Sequence, residues 1–165
     1  MLKIKKRVLL IILLPALLLA CTDSMKDDVL PVIDMTYEST FPTNCVEVYR
    51  GETFTYRFKL TDNLALGSYS IEMHHNFDHH THSTSPTQCL LDPKKTATNA
   101  FLFINQFEIE AGKKEFFATG QISIPANVDT GNYHFMIRVT DASGWQTFEG
   151  ISLSIRDRIE KSQSN

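Results

Sequence analysis

From Val29 onward, hydrophobic and polar side chains alternate with a period of two, the pattern of β-strands with one buried face. No part of this region shows sustained helical periodicity. Turn residues such as Asp62-Asn63 and residues 141–144 separate the alternating segments. The segments are 31–37, 53–60, 67–73, 102–109, 116–124, 133–139 and 146–155. About seven short strands predict an all-β fold, a β-sandwich of antiparallel sheets.

The alternation also predicts which side chains face the core. These are Phe54, Tyr56, Phe58 and Leu60, then Tyr69, Ile71 and Met73, then Tyr133, Phe135, Ile137 and Val139, and finally Ile151, Leu153 and Ile155. Residues 102–109 are expected to form an edge or connecting strand. Gly150 falls between Phe148 and Ile151 and suggests a bulge. We expect Trp145, the single tryptophan, to be buried against the core.

The end of this region resembles the last two strands of bacterial Ig-like domains. Residues 125–144 follow the pattern P…G-x-Y-x-F-x-I-x-V-x-D-x-x-G. The resemblance implies that the Tyr133 hydroxyl hydrogen-bonds back to the preceding loop, as in a tyrosine corner. The predicted fold is therefore an Ig-like antiparallel β-sandwich over residues 29–155, followed by a polar tail over 156–165. An architecture of this kind does not specify a function.

The first 20 residues have the character of a secretory signal peptide. Four basic residues (Lys3, Lys5, Lys6 and Arg7) precede an apolar run that is interrupted by Pro15. Residues 18–21, Leu-Leu-Ala-Cys, resemble the lipobox of bacterial lipoproteins. That resemblance implies cleavage before Cys21 and attachment of acyl chains, palmitate among them, to this cysteine. The alternative is an ordinary signal peptide in which Cys21 is incidental.

Residues 21–28 then form a short acidic tether. No aspartate directly follows Cys21, and such an aspartate retains some lipoproteins at the inner membrane. We therefore expect attachment to the lipid bilayer of the outer membrane, on either its periplasmic or its surface face.

Composition excludes several classes of protein and partner. With 42% hydrophobic and 21% charged residues, the chain is typical of one globular domain. All four charges in the first 20 residues are basic, so residues 21–165 retain 12 basic and 19 acidic side chains, a formal net charge of −7. A domain of this sign lacks the basic surface that nucleic acids require.

Two cysteines lie beyond Cys21, at positions 45 and 89. Outside the cytoplasm, Cys45 and Cys89 can form a disulfide. The competing possibility is that Cys89 is a metal ligand beside nearby histidines.

Five of the six histidines lie within residues 74–82. Neutral imidazole is the commonest metal ligand, and zinc or copper accepts three or four such donors. In an extended segment, His80 and His82 share a face, and we expect His74 and Asp78 to complete the metal site. The alternatives are a loop that contacts a ligand or partner and a hydrogen-bonded structural corner. Strand parity directs His74 outward and His75 inward, and His134 is expected at the surface, with only a secondary prospect of joining the site.

Residues 61–82 resemble an uncharacterised family of small bacterial lipoproteins with a single Ig-like domain. The shared pattern is D-N-x-x-L-G-S-Y-x-I-x-I-H-x-N-F-D-x-H-x-H, with Met73 at the apolar position before the first histidine. His75 and His79 fall on its variable positions. The motif positions are His74, Asn76, Phe77, Asp78, His80 and His82. The resemblance implies an extracytoplasmic domain of unknown function.

Motifs of catalysis are absent from the sequence. It has no G-x-S-x-G, H-E-x-x-H, Walker or dinucleotide-binding pattern, so we expect a protein that is not an enzyme. The favoured function is divalent transition metal binding beside an outer-membrane transporter or another envelope protein. The alternative is an Ig-like interaction or adhesion module that contacts protein or glycan through the polar connection 81–100.

Overall fold

Eight β-strands in two sheets make up the computed structural model, which describes residues 26–158. The strands are β1 (Val32–Asp34), β2 (Val46–Tyr49), β3 (Thr53–Thr61), β4 (Leu66–His75), β5 (Phe103–Glu108), β6 (Glu115–Ser123), β7 (Gly131–Asp141) and β8 (Gln146–Arg156). One sheet has the order β1-β3-β6 and the other β2-β8-β7-β4-β5. Within the described residues, no helix has the length and apolarity needed to cross a membrane. The predicted signal peptide, Cys21 and most of the polar tail lie outside the described residues.

The predicted all-β sandwich is confirmed, with two differences in detail. The described residues contain eight strands, one more than the seven predicted segments. The additional strand is β2, which is only four residues long. β2 also pairs with β8 in parallel, so the sandwich is not entirely antiparallel. Strand β5 lies at the edge of the five-stranded sheet, as expected for residues 102–109. Strand β1 is shorter than the predicted segment 31–37.

The core lies between the two sheets and contains the predicted inward side chains. Phe58, Ile71 and Phe135 are fully buried there. The Tyr133 hydroxyl donates a hydrogen bond to the carbonyl of Asp129 at 2.7 Å, the contact predicted for this tyrosine. Trp145 does not join the core, because it lies beyond the end of β7 and is 47% exposed. The prediction of a buried tryptophan is wrong.

Gly150 does not mark a bulge. The pairing of β7 with β8 continues without a shift through Met136 and Gly150. Phe148 simply faces outward and Ile151 inward, as regular alternation requires. A glycine is needed here because a Cβ atom would overlap the carbonyl oxygen of His82, which rests on the strand.

Residues 76–102 connect β4 to β5 without a strand and cross the outer face of the five-stranded sheet; we call them the crossing loop. Thr84 bonds through its backbone N–H and its hydroxyl to the carbonyl of Gly150 on β8. The backbone N–H of Asp92 donates to Oδ1 of Asn132 on β7 at 2.7 Å. These contacts hold the loop against the sheet.

A disulfide joins Cys89 of the crossing loop to Cys45, just before β2. Their Cα atoms are 5.3 Å apart, within the usual range for such a bond. The crossing loop, which leaves the sheet from β4, is therefore covalently attached next to β2, the strand at the opposite edge of the same sheet. A disulfide sulfur is not a thiolate, so the alternative role of Cys89 as a metal ligand does not fit this structure.

Candidate metal centre

The site begins with two histidines that face each other across neighbouring strands. His74 on β4 pairs in register with His134 on β7, and strand alternation directs both side chains to the outer face of the five-stranded sheet. The crossing loop then returns over this position and places His80 and His82 above them. Four imidazoles thus meet, with ring centroids 4.8 to 5.6 Å apart.

Three of these rings direct a nitrogen toward one point. Nε2 of His74 lies 3.2 Å from Nε2 of His80 and 3.2 Å from Nδ1 of His82. The three nitrogens all lie within 4.8 Å of one another. Two nitrogens bound to one tetrahedral zinc ion at 2.0–2.1 Å would be about 3.3 Å apart. The spacing around His74 therefore matches that of ligands that share a metal ion.

Two carboxylates face the opposite sides of these rings. Oδ1 of Asp78 accepts a hydrogen bond from Nδ1 of His80 at 2.6 Å. Oε1 of Glu72 lies 2.9 Å from Nδ1 of His74, in an electrostatic contact that is not aligned as a hydrogen bond. A carboxylate attracts the ring proton to Nδ1, which leaves the lone pair on Nε2. His74 and His80 then present two lone pairs to each other at 3.2 Å, an arrangement that a cation between them would stabilise.

His134 forms the floor of the site. Its side chain is 2% exposed, and Nε2 donates to the carbonyl of His80 at 3.2 Å. Burial lowers the pKa of His134 to about 4, so the ring is neutral at pH 7. The prediction that His134 is a surface residue is wrong, because the crossing loop covers this part of the sheet. His134 lies beneath the three converging rings, with its Nε2 directed to the carbonyl of His80 instead of to the point where the other three nitrogens meet.

Burial also lowers the pKa of His74, and the nearby His80 and His82 act in the same direction, while Glu72 opposes them. A lower pKa keeps the imidazole unprotonated and available as a ligand at neutral pH. The hydrogen bond from His80 similarly lowers the pKa of Asp78, which keeps that carboxylate ionised.

The structure brings together His74, His80 and His82 but gives Asp78 a different position. Its carboxylate lies behind His80 instead of among the converging nitrogens, as an orienting partner of that ring. The remaining histidines of the cluster are elsewhere. His75 faces inward, as its parity predicted, and stacks on Phe77, while Nε2 of His79 contacts the carbonyl of Asp92 at 2.8 Å.

One side of the site opens to solvent. His82 is exposed, and with His74 it lines a groove of about 920 Å³ along the outer face of the sheet. Glu72, Ile104 and Phe148 also line this groove. Three nitrogens would leave one ligand position of a tetrahedral metal ion open, and the groove would give water or a further ligand access to it.

Sequence reasoning missed Glu72 and misplaced His134. Glu72 is two residues before His74 and shares its outward face, so strand parity alone contained the signal for it. His134 is 60 residues from His74 in the sequence, and only the register between β4 and β7 shows that the two are neighbours.

No curated protein matches the sequence. The crystal structure of Spo0M, a sporulation control protein from Bacillus subtilis, is similar with a TM-score of 0.39 and 8% sequence identity. The match covers 79% of this chain and 51% of that one, so the chain spans about half the length of Spo0M.

A family model does match most of the sequence. It covers residues 19–156, which include all eight strands, the crossing loop and the four histidines of the site. The model is described as a domain of unknown function. The chain therefore belongs to the family Domain of unknown function (DUF4625).

Proposed function

We propose that this protein is a non-enzymatic lipoprotein of the cell envelope that binds a divalent transition metal ion through His74, His80 and His82. The observation that carries the proposal is the convergence of three imidazole nitrogens, two of them with carboxylates on their opposite sides. The Nε2 atoms of His74 and His80 are 3.2 Å apart, and if both rings carry their proton on Nδ1, two lone pairs face each other there. With a cation between them, each carboxylate strengthens its histidine as a ligand.

The donor set favours zinc or copper. All three donors are imidazole nitrogens, which suit these ions, whereas calcium and magnesium prefer oxygen. Asp78 and Glu72 provide charge behind the ligands, and His134 supports the site from below. The open side of the site fits binding and release of an ion more closely than a closed structural zinc site does.

The location of the protein follows from its first residues. Acylation of Cys21 would hold the domain at a membrane, and the absence of an aspartate after it favours the outer membrane. A site that takes up metal there would serve an outer-membrane transporter or another envelope protein. Acquisition, buffering and sensing of the metal are the roles consistent with an exposed site. The Ig-like nature of the sandwich and the motif of residues 61–82 belong to this proposal.

The test is a calorimetric titration of zinc and of copper into the full chain, purified in detergent and stripped of metal. We expect one ion per chain with micromolar or tighter affinity. The double variant His80→Ala/His82→Ala should lose this binding, while His79→Asn should retain it, because His79 lies outside the converging set and its left-handed backbone (φ 64°) suits asparagine. Unchanged stoichiometry in the double variant would show that these histidines are not the site.

A second function is favoured by one surface feature. Leu90, in the crossing loop, is 92% exposed, and the adjacent Leu91 is 42% exposed. Exposed apolar side chains on a long loop are typical of a contact surface. As an interaction or adhesion module, the protein would bind purified envelope proteins or glycans on an array, and Leu90→Asp would abolish the signal. Retained binding in that variant would exclude this surface.

A further inference from the structure

Three aspartates from distant parts of the chain meet at the other end of the sandwich. Asp27 precedes β1, Asp62 directly follows β3, and Asp141 ends β7. Their exposed fractions are 8%, 9% and 3%. Burial of this extent is unusual for a carboxylate, since aspartate is almost never buried without a partner. We call these residues the aspartate cluster.

Within residues 26–158, each carboxylate of the aspartate cluster accepts hydrogen bonds at one oxygen and none at the other. Oδ1 of Asp62 accepts from the backbone N–H groups of Leu64 and Ala65, and Oδ1 of Asp141 from those of Ser143 and Trp145. Oδ1 of Asp27 accepts from Val29 at 3.2 Å. Among the residues that the structure describes, the three Oδ2 atoms are buried and have no hydrogen-bond partner.

The cluster brings one oxygen from each of the three side chains to within 4.8 Å of one another. Within residues 26–158, no lysine, arginine or histidine forms an ion pair with any of them. Three like charges this close repel strongly, and burial strengthens the repulsion. Folding therefore brings together a charge that the described residues do not neutralise.

We propose that the aspartate cluster binds a calcium ion. Ca²⁺ takes oxygen ligands at 2.3–2.6 Å, so two oxygens on one ion are at most about 5 Å apart, which accommodates the separations found here. Mg²⁺ requires shorter distances of 2.0–2.1 Å and a strict octahedron. The turns at Asp62 and Asp141 already hold two of the carboxylates in place. An ion here would supply the positive charge that the cluster lacks.

This calcium site is independent of the histidine site in both position and chemistry. Asp141 and His134 are both on β7, seven residues apart, which corresponds to about 23 Å along the strand. Calcium does not favour imidazole, and zinc and copper favour nitrogen. Loss of one site leaves the other intact.

Trp145 gives the site a built-in reporter. Its indole Nε1 donates to the carbonyl of Asp27 at 3.0 Å, and its backbone N–H donates to Oδ1 of Asp141. It is the single tryptophan of the chain. Binding of calcium to the aspartate cluster will therefore change tryptophan emission.

The experiment is a titration of the metal-stripped full chain with CaCl₂, followed by Trp145 emission and by thermal unfolding. We expect saturable changes in both, with an apparent Kd of about 0.1–1 mM, the range of extracellular calcium modules. Mg²⁺ in place of Ca²⁺ should produce a smaller shift. If neither emission nor Tm changes up to about 10 mM Ca²⁺, ten times the upper limit of that range, the proposal is overturned.

Variants separate calcium binding from general salt effects. Asp62→Asn retains an oxygen for its turn but removes a charge, so we expect it to fold and to lose the calcium response. Asp28→Asn, next to Asp27 but exposed, should respond like the natural sequence. Asp27→Asn tests the remaining proposed ligand, the carboxylate that the chain provides before β1. An equal calcium response in Asp62→Asn and the natural sequence would overturn the assignment. The variant His80→Ala/His82→Ala, which changes only the histidine site, should leave the calcium response unchanged.

Discussion

Asp78 accepts a hydrogen bond from Nδ1 of His80, and Glu72 lies 2.9 Å from Nδ1 of His74, so each carboxylate lies behind a ring whose Nε2 faces the proposed metal position. Their contribution is to the orientation and basicity of the ligands, and removal of such groups typically reduces metal affinity 10- to 100-fold. We expect the zinc affinity of Asp78→Ala to be 10- to 100-fold lower than that of the natural sequence, with one ion still bound per chain.

Cobalt absorption distinguishes this orienting role from direct ligation. If Asp78 lies behind His80, the visible spectrum of the Co²⁺-loaded protein should keep its shape in Asp78→Ala, because the donors around the metal stay the same. A changed spectrum would make Asp78 a direct ligand, as the sequence had suggested. Asp78→Asn, which keeps an oxygen acceptor, should lose less affinity than Asp78→Ala.

Gly150 controls how closely the crossing loop approaches the sheet. A methyl group at this position would overlap the carbonyl oxygen of His82 and contact the sulfur of Met136. Gly150→Ala should therefore displace His82 and weaken zinc binding, as measured by calorimetry. Phe148→Ala, on the same strand and face, should bind zinc normally because it removes atoms from the groove and adds none against the carbonyl oxygen of His82. Equal affinities in the two variants would contradict this role of Gly150.

Asp129 is expected to make the stability of the crossing loop depend on pH, because its carboxylate accepts hydrogen bonds from Thr98 and Asn99 of that loop. Hydrogen bonds from Thr98 and Asn99 hold its pKa at about 2, below the ordinary 3.8. A folded-state pKa below the unfolded value contributes stability above pH 3.8 that is lost as the pH falls toward 2. Urea midpoints should thus differ between Asp129→Asn and the natural sequence at pH 5 and converge as the pH falls through 2, with Asp28→Asn as the control. A difference at pH 2 as large as that at pH 5 would exclude this explanation.

At the scale of elements, the crossing loop depends on its disulfide. The bond between Cys45 and Cys89 closes 44 residues of chain, and on the chain-entropy account it stabilises the fold by about 4 kcal/mol. We expect Cys45→Ser/Cys89→Ser to lower the free energy of unfolding by an amount of that order and to weaken zinc binding, since the loop carries His80 and His82.

Reductant provides the control for this prediction. Dithiothreitol should shift the natural sequence toward the double variant in urea unfolding and leave the double variant unchanged. Reduced stability with undiminished zinc affinity would show that the bonds to Gly150 and Asn132 suffice to hold the loop.

The elements differ in how far the sequence could predict them. The inward faces of β3, β4 and β7 followed from alternation, because strand parity is a local property. β2 was missed because four residues carry too little alternation and its pairing with β8 is set by chain far away. His134 and Trp145 were misplaced because their burial depends on distant parts of the chain. The crossing loop covers His134, whereas within the described residues Trp145 stays 47% exposed. The histidine cluster could be recognised in the sequence. Which residues converge as proposed ligands, and which carboxylates lie behind them, could be seen only in the folded structure.

At the scale of the whole molecule, the two proposed metal sites lie at different ends of one sandwich. Stabilising effects at sites more than about 10 Å apart usually add. We therefore expect the Tm shifts produced by zinc alone and by calcium alone to sum when both ions are present. A combined shift well above or below that sum would mean that the sites communicate through β7.

The contact between Trp145 and Asp27 has a geometric consequence for a lipid-anchored protein. It fixes the chain to the end of the sandwich at residue 27, only six residues beyond Cys21. Six fully extended residues span about 20 Å, so with Cys21 in the bilayer the aspartate end of the domain stays within that distance of the headgroups. If Cys21 is acylated as proposed, the histidine site can lie farther from the lipid than the aspartate cluster does, since about 23 Å of β7 separates His134 from Asp141. A soluble metal carrier or a neighbouring receptor could then reach it from the aqueous space.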